Sequence, residues 1–130
     1  MDKTITLRTP SRTTLVDITR EVAGAVAEMG LENGAVLVYV PHTTAAVTVN
    51  ESADPDVARD IEDALSKLVP VSRAYSHTEG NADAHIKSSL MGCSTTVLVR
   101  GGELVLGTWQ GIFFCEFDGP RSRRVIVAPL

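Results

Sequence analysis

The sequence predicts an α+β fold in which antiparallel or mixed β-sheet layers pack against about three helices. Two observations indicate this class. Apolar residues recur at helical spacing in three segments of the first 92 residues, whereas the last 38 residues consist of short apolar stretches separated by turns. The predicted element order is β, α, β, β, α, α and then a β meander, and this order argues for α+β.

Length and composition indicate one domain over residues 1–130, with no repeat or linker. The net charge is −4, from 16 acidic and 12 basic residues, and no basic stripe is present, so we expect no nucleic-acid binding. A few local arginines would still suit a phosphorylated ligand. There is no signal-peptide core and no apolar run of about 18 residues, so we expect no membrane span and a cytoplasmic location.

The first half of the chain alternates strands and helices. Residues 3–9 show the two-residue alternation of a strand, and Asp17 is placed to cap a helix that ends at Gly30. The run AVLVYV, residues 35–40, predicts a buried strand, and β character resumes at residues 45–49. His42 therefore lies in a break between two strands.

The second half begins with a clear helix signal, the Asp-Pro pair at 54–55. A further short helix, capped by Asn81 or Asp83 and ending at a glycine, should direct Ile86 and Leu90 inward. The glycine pair at 101–102 predicts a tight hairpin, and three more strands should follow it.

The histidines are the main functional signal. The stretch HTEGNADAHI, residues 77–86, contains two of the three histidines of the chain. If His42 converges with His77 and His85, the three would bind zinc or another divalent metal with an open coordination position. Glu79, Asn81 and Asp83 would orient the rings. The alternative is that each histidine satisfies only its own local hydrogen bonds.

Acidic and polar residues follow His42. Thr44 and Asn50 should line a polar strand face that Glu51 closes. Asp56 and Asp60 are four residues apart on a helix, so they either bind Mg²⁺ or a cationic ligand or belong to a solvated acidic face.

The C-terminal region offers residues for ligand binding. Trp109 is an aromatic wall for a planar ligand or a core anchor, and Gln110 would hydrogen-bond a heterocycle or water. Glu116, on an apolar strand, needs a partner such as Arg121 or a metal. Arg121, after a DGP turn, is either a phosphate clamp or an exposed side chain. Cys93 and Cys115 are predicted to be buried free thiols.

Four long motifs resemble the YjbQ-like family, also called the secondary thiamine-phosphate synthase family. They are HTTAAVTVNE with DPDVxxD, HxEGNADAHIKxSLxG, GxLxLGTWQxI and EFDGPRxRxV, and they cover nearly the whole chain in the order of the family. The resemblance implies a homotrimer with a polar cleft near the subunit contacts. It implies catalytic roles for His42, His77, His85, Glu51 and Asp60, and substrate contacts from Thr43, Thr44, Asn50, Asn81, Trp109, Gln110, Glu116 and Arg121.

The activity implied by the resemblance joins hydroxymethylpyrimidine diphosphate to a thiazole phosphate, with release of pyrophosphate. Magnesium would accompany the diphosphate at Asp56 and Asp60, or a zinc-like ion would occupy the histidines. Since three histidines suit a transition metal or acid–base chemistry better than pyrophosphate release, two alternatives stay open. One is metal-dependent hydrolysis or lyase chemistry on a small phosphorylated compound, and the other is non-catalytic binding of a metal or small ligand. A structural oligomer without a site ranks last.

Overall fold

A computed structural model describes all residues, 1–130, as eight strands and three helices. In chain order they are β1 (Lys3–Arg8), β2 (Thr14–Asp17), α1 (Thr19–Met29), β3 (Gly34–Tyr39), β4 (Ala45–Glu51), α2 (Pro55–Leu68), α3 (Ala82–Met91), β5 (Ser94–Arg100), β6 (Glu103–Leu104), β7 (Gln110–Glu116) and β8 (Ser122–Pro129). The predicted α+β class is confirmed.

The strands form two sheets in which every pair is antiparallel. The larger sheet has the order β1-β8-β3-β5-β6, and the smaller sheet has the order β2-β7-β4. The β5–β6 connection is the predicted glycine turn, and both Gly101 and Gly102 adopt positive φ, at 58° and 78°. Hairpin turns with two such residues match the twist of the strands they join.

The main core lies between the two sheets and is closed by α1. Alternate valines of β3, β5 and β8 face alternate residues of β4 and β7, with Phe114 and Ile112 among the fully buried side chains. Val22 and Val26 of α1 pack into the same cluster. The opposite face of the small sheet carries a second cluster with Ala84 of α3 and Leu65 of α2 against it.

Helix α3 turns a polar face inward. Asp83 and Lys87 are buried and form an ion pair of 2.9 Å, and Ser88 Oγ donates to the carbonyl oxygen of Ala45 at 2.6 Å. Ile86 and Leu90 are instead exposed, so the prediction that they face inward is wrong. The small residues Ala84 and Ser88 let the helix approach β4 closely, and this sets its rotation.

Several other local predictions are confirmed or corrected. Asp54 caps α2 by accepting a hydrogen bond from the N–H of Asp56, as predicted. Strand β2 was not predicted, because its four residues show no clear alternation. Cys115 is a buried free thiol, but Cys93 is exposed rather than buried. None of the three helices is long and apolar enough to cross a membrane.

Candidate functional site

His42 is held in one orientation by the backbone of the neighbouring strand. Its Nε2 accepts a hydrogen bond from the N–H of Arg124 in β8, at 3.1 Å. A neutral imidazole carries one proton, so Nε2 supplies the lone pair and Nδ1 carries the hydrogen. Burial, and next the charge of Arg123, lower the pKa of His42 below its ordinary value of 6.5. His42 is thus a neutral ring at neutral pH whose remaining polar group is a donor.

His42 and His85 line the same groove. Its volume is about 550 Å³, and its other lining residues are Thr43, Ser88, Ser89, Gly92 and Cys93. His85 lies in the first turn of α3, and its hydrogen bonds involve its backbone: its N–H donates to Asn81 O, and its carbonyl accepts from Ser89 Oγ. The ring nitrogens of His85 are therefore available to a ligand.

The third histidine, His77, lies next to His85. Its ring packs edge-on against the ring of His85, with 5.2 Å between the centroids. Its Nε2 lies 3.7 Å from Glu79 Oε2, which is too far for a hydrogen bond, so the orienting role of Glu79 stays a prediction. The His77 side chain is 45% exposed. Asp83, by contrast, orients no ring, because its carboxylate is engaged by Lys87 and Arg12.

Within one chain, the histidines are not arranged as the predicted three-histidine metal site requires. No group of three or more His, Cys, Asp or Glu side chains in the chain is placed to hold a metal ion. A metal-bound imidazole normally donates its second ring N–H to an acceptor. At His42 the second nitrogen instead faces a donor, the N–H of Arg124, so binding a metal through Nδ1 would break this hydrogen bond.

A buried ion pair fixes the loop that carries His42. Glu116 is fully buried and bonds to Arg123 Nε at 2.8 Å and to Arg123 Nη2. Arg123 Nη2 also donates to the Oγ1 of Thr44, at 2.9 Å, and to its carbonyl oxygen. The predicted substrate contacts Thr44 and Glu116 are thus structural: they clamp the loop onto β8. The partner of Glu116 is Arg123 and not Arg121.

Arg121 lies beside the His42 loop but is partly engaged. It lines a second groove, of about 540 Å³, with His42, Thr43 and Thr44. Its Nε donates to the carbonyl oxygen of Asp118 at 2.8 Å, and its Nη2 lies 3.2 Å from the Asp118 carboxylate. Asn81 donates to the same carboxylate at 2.9 Å, and its buried Oδ1 has no partner. The Asp118 carboxylate accepts only, so it fixes the orientation of the Asn81 amide.

The remaining predicted residues lie at the other end of the small sheet. Ala45 pairs with Glu116 at one end of the β4–β7 ladder, and Glu51 pairs with Gln110 at the other. Six residues of strand separate these ends by about 20 Å. Within one chain, Glu51, Asn50, Gln110 and Trp109 therefore do not share a cleft with His42. The predicted cleft near subunit contacts stays a prediction.

These distant residues also have local partners. Gln110 Oε1 accepts from Gly107 N–H at 2.7 Å, and Asn50 Oδ1 accepts from Glu51 N–H at 2.8 Å. Trp109 is 63% exposed, so it is not a core anchor. On α2, Asp56 pairs with Arg59 at 3.2 Å while Asp60 is exposed. The local pairing of Asp56 with Arg59 favours the interpretation as a solvated acidic face.

Comparison with known proteins agrees with the motifs. Residues 3–130 match the family model described as UPF0047 protein YjbQ-like. The chain belongs to the YjbQ-like UPF0047 family. A UPF0047 protein of Methanocaldococcus jannaschii is 53% identical over 93% of this chain and 88% of its own length. UPF0047 protein YugU of Bacillus subtilis is 51% identical over 95% of this chain and 94% of its own.

Solved structures of YjbQ-like proteins share the fold. A Clostridium acetobutylicum protein of the YjbQ/UPF0047 family, described as uncharacterized, superposes with a TM-score of 0.95 at 50% identity, covering 98% of this chain and 99% of that one. A Sulfolobus solfataricus protein, described as YbjQ-like and of unknown function, gives a TM-score of 0.93 at 37% identity, covering 98% and 94%.

These names correct the activity that the resemblance implied. The YjbQ-like relatives are named as UPF0047 proteins, and the S. solfataricus structure as a protein of unknown function, not as thiamine-phosphate synthases. The predicted thiamine-phosphate synthase function is therefore wrong.

Sequence reasoning missed the two groups that shape the YjbQ-like site most directly. Arg123 is buried on the same side of β8 as Val125 and Val127, so the two-residue alternation of RRVIV contained the signal. The N–H of Arg124 that fixes His42 is a backbone group from a strand 82 positions away, and no sequence pattern marks it.

Proposed function

We propose that this YjbQ-like protein is an enzyme that binds a small phosphorylated metabolite and carries out proton-transfer chemistry in the groove between His42 and His85. One observation carries the proposal: two histidines with different hydrogen-bonding states line the same groove. One is a fixed neutral donor, and the other has free ring nitrogens. In such a pair, one histidine can stabilise developing charge while the other transfers a proton.

His42 serves as the charge-stabilising group. Its lone pair at Nε2 is engaged by the N–H of Arg124, so it is not the base. The Nδ1–H group remains, and a neutral donor fixed in place stabilises negative charge that develops on a substrate oxygen. Burial and the charge of Arg123 lower its pKa, which keeps the ring neutral.

His85 serves as the group that takes up and returns the proton. Histidine is the residue most often used for this role, because the ordinary pKa of an imidazole lies near neutral pH and the ring can both take up and release a proton there. The edge-on contact with His77 at 5.2 Å restricts rotation of the His85 ring. The hydroxyl of Thr43, on the same groove, is available to orient a polar substrate.

A phosphorylated ligand suits the charge around this groove. Arg8, Arg123 and Arg124 line a groove that shares His42, and Arg121 lines another. The chain as a whole carries a net charge of −4, so this concentration of arginine is local. Guanidinium groups bind phosphate oxygens through paired hydrogen bonds.

We further propose that the protein assembles as the homotrimer that the family resemblance implies. Leu98 and Val105, at the β5–β6 side of the large sheet, are large apolar side chains with 49% and 40% of their surface exposed. Burying such residues against another copy would be favourable. Light scattering should give three times the monomer mass of 13.9 kDa; a monomer at micromolar concentration would contradict this assembly.

The enzyme proposal is tested by incubating the protein with a panel of phosphorylated metabolites and following each compound by mass spectrometry. For any compound that is consumed, His85→Gln should lower kcat by about 100-fold or more while the affinity stays near that of the wild type, because only the proton transfer is lost. His42→Asn should also lower kcat. Asp63→Asn, an exposed change on α2 outside this groove, is the matched control and should leave the rate unchanged.

Two results would count against the proposal. If compounds bind to the wild type but none is converted, the protein is a binding protein and not an enzyme. If a compound is converted equally well by wild type and His85→Gln, the chemistry lies elsewhere.

A further inference from the structure

The exposed face of the β1–β8 pair carries a polar groove that adjoins His42. Thr6 lies opposite Arg124 and Arg8 lies opposite Ser122 in the antiparallel register. Opposite residues of an antiparallel pair direct their side chains to the same face. With His42, Leu7 and Arg123, these four residues line a groove of about 650 Å³.

Two of the four arginines near His42 lack a compensating carboxylate. Arg121 pairs with Asp118 at 3.2 Å, and Arg123 pairs with the buried Glu116. Arg8 and Arg124 make no ion pair, and no acidic residue lines their groove. Arg8 reaches only the hydroxyl of Ser122, at 3.5 Å. In a chain of net charge −4, this leaves a local excess of two positive charges.

Two unpaired guanidinium groups with hydroxyl donors beside them match a phosphate. A phosphate monoester carries a charge of about −1.5 to −2 at neutral pH and offers three acceptor oxygens. Arginine is suited to it because its donors form a planar fork. Thr6 and Ser122 add hydroxyl groups on the same face. The chemistry of this groove is thus that of a phosphate subsite.

We propose that Arg8 and Arg124 bind the phosphoryl group of the ligand, while its unphosphorylated part extends past His42 into the groove that His42 shares with His85. This inference rests on the proposed function and makes it more specific. It assigns the phosphate to Arg8 and Arg124 rather than to Arg121, whose guanidinium is already bonded to Asp118. It identifies the substrate class as phosphate monoesters whose reacting carbon lies beyond the phosphate.

His42 connects the two grooves by its position and by its hydrogen bond to the backbone of Arg124. It lines both of them, and its ring is held by the backbone N–H of Arg124, the residue whose side chain faces the phosphate. A phosphate bound at Arg124 would thus lie next to the strand position that orients His42. Arg8 and Arg124 are accordingly specificity-determining residues for the terminal phosphate and take no part in the proton transfer.

The test measures binding of inorganic phosphate to the full chain by calorimetry and NMR at low ionic strength. We expect Arg8→Gln with Arg124→Gln to weaken phosphate binding by about tenfold or more, since two charge-assisted contacts are lost. Arg100→Gln is the matched control: Arg100 is an exposed arginine at the end of β5 in the same sheet, outside this groove, and its loss should change the affinity less than twofold. Because Arg8 and Arg124 are exposed, circular dichroism should confirm that every variant is folded.

The outcomes separate this inference from the enzyme proposal. Wild type that binds no phosphate, or a double variant that binds it as tightly as wild type, overturns the subsite even if a substrate is converted. If phosphate binding is lost in the double variant but kept in His85→Gln, the subsite is supported whether or not the panel contains a substrate. If the Arg100 variant loses affinity as strongly as the double variant, the effect is general charge, and the subsite is refuted.

Discussion

Replacing Glu116 by glutamine should be among the most damaging single changes at the candidate site, because the carboxylate is completely enclosed. Its two oxygens accept hydrogen bonds from Thr9 Oγ1 at 2.7 Å, from the N–H groups of Phe117 and Asp118 at 3.0 Å, and from Nε and Nη2 of Arg123. Glutamine has nearly the same shape. Its amide NH₂ cannot accept, so in either orientation it faces groups that are themselves donors.

The expected cost follows from what Arg123 loses. Its guanidinium is buried, with 3% of the side chain exposed, and Glu116 is its only ionic partner. Removing one member of a buried ion pair costs about 3–5 kcal/mol, because the remaining charge is left without compensation. The glutamine oxygen keeps some of the hydrogen bonds, so we expect about 3 kcal/mol. For a domain whose total stability is about 5–15 kcal/mol, this is a large loss.

Urea denaturation followed by circular dichroism at neutral pH measures the effect. Glu103→Gln, an exposed change on β6, is the matched control and should stay within about 0.5 kcal/mol of wild type. A cost below about 1 kcal/mol for Glu116→Gln would refute the reasoning, since it would mean that Arg123 finds other compensation.

Acid provides an independent check on Glu116. Burial alone raises the pKa of this carboxyl group, but hydrogen bonds from Arg123, Thr9 and Asp118 and the charge of Arg123 together bring it below its ordinary value of 4.5. A pKa lowered by folding contributes stability above the unfolded value, and this contribution is lost as the pH falls through the folded pKa. The difference in the free energy of unfolding between wild type and Glu116→Gln should therefore shrink as the pH falls below about 4.5. A difference in unfolding free energy that does not change with pH would contradict this account.

Three further predictions concern other parts of the chain. Gly24→Ala should stabilise the fold by about 0.5–1 kcal/mol, because its Cβ would meet nothing within 4 Å on α1. Gly119→Ala should destabilise it by about 1–3 kcal/mol, because its Cβ would collide with the backbone carbonyl oxygen of Ser11 and lie 2.8 Å from the Thr9 hydroxyl. Asp83→Asn should cost more in urea denaturation than Lys87→Met, since the lysine has one ionic partner and the aspartate has two. NMR should find His42 in the Nδ1–H form at neutral pH, with a pKa below 6.5.

A specific experimental outcome would contradict each of these three predictions. Equal effects at the two glycines would mean that the close packing at residue 119 is relieved by movement. A costlier Lys87→Met would show that the arginine beside Asp83 contributes less than its 3.1 Å contact implies. An Nε2–H tautomer at His42 would remove the basis for its role as a fixed donor.

The sequence predicted the local structure well where a short segment has a strong preference. The Asp54–Pro55 start of α2 and the Gly101–Gly102 turn were both recognisable, because the capping side chain and positive φ are properties of a few adjacent residues. Strand β2 was missed, since four residues with little alternation acquire β structure only by pairing with β7. The rotation of α3 was also mispredicted, because close packing of Ala84 and Ser88 on β4 outweighed the exposure of two apolar side chains.

For the candidate site, the motifs singled out the three histidines correctly as neighbours but not their arrangement. The sequence could not show that His77 contacts His85 while His42 shares a groove with His85. It also could not show that Glu51 lies at the opposite end of the β4–β7 ladder from Ala45, about 20 Å along the strand. Proximity along the chain, as between His42 and Glu51, therefore suggested a single cleft where the extended strand makes two separate regions.

The sequence by itself determined the fold class, the family and the candidate functional residues. These are three histidines, several arginines near the C-terminus and an acidic residue on an apolar strand. The tertiary structure alone decided the pairings, namely that Arg123 rather than Arg121 neutralises Glu116 and that the N–H of Arg124 fixes His42 as a neutral donor. The physical reason is that propensity and alternation act over a few residues. Which polar groups meet is set by the register of β8 against strands far away in the chain.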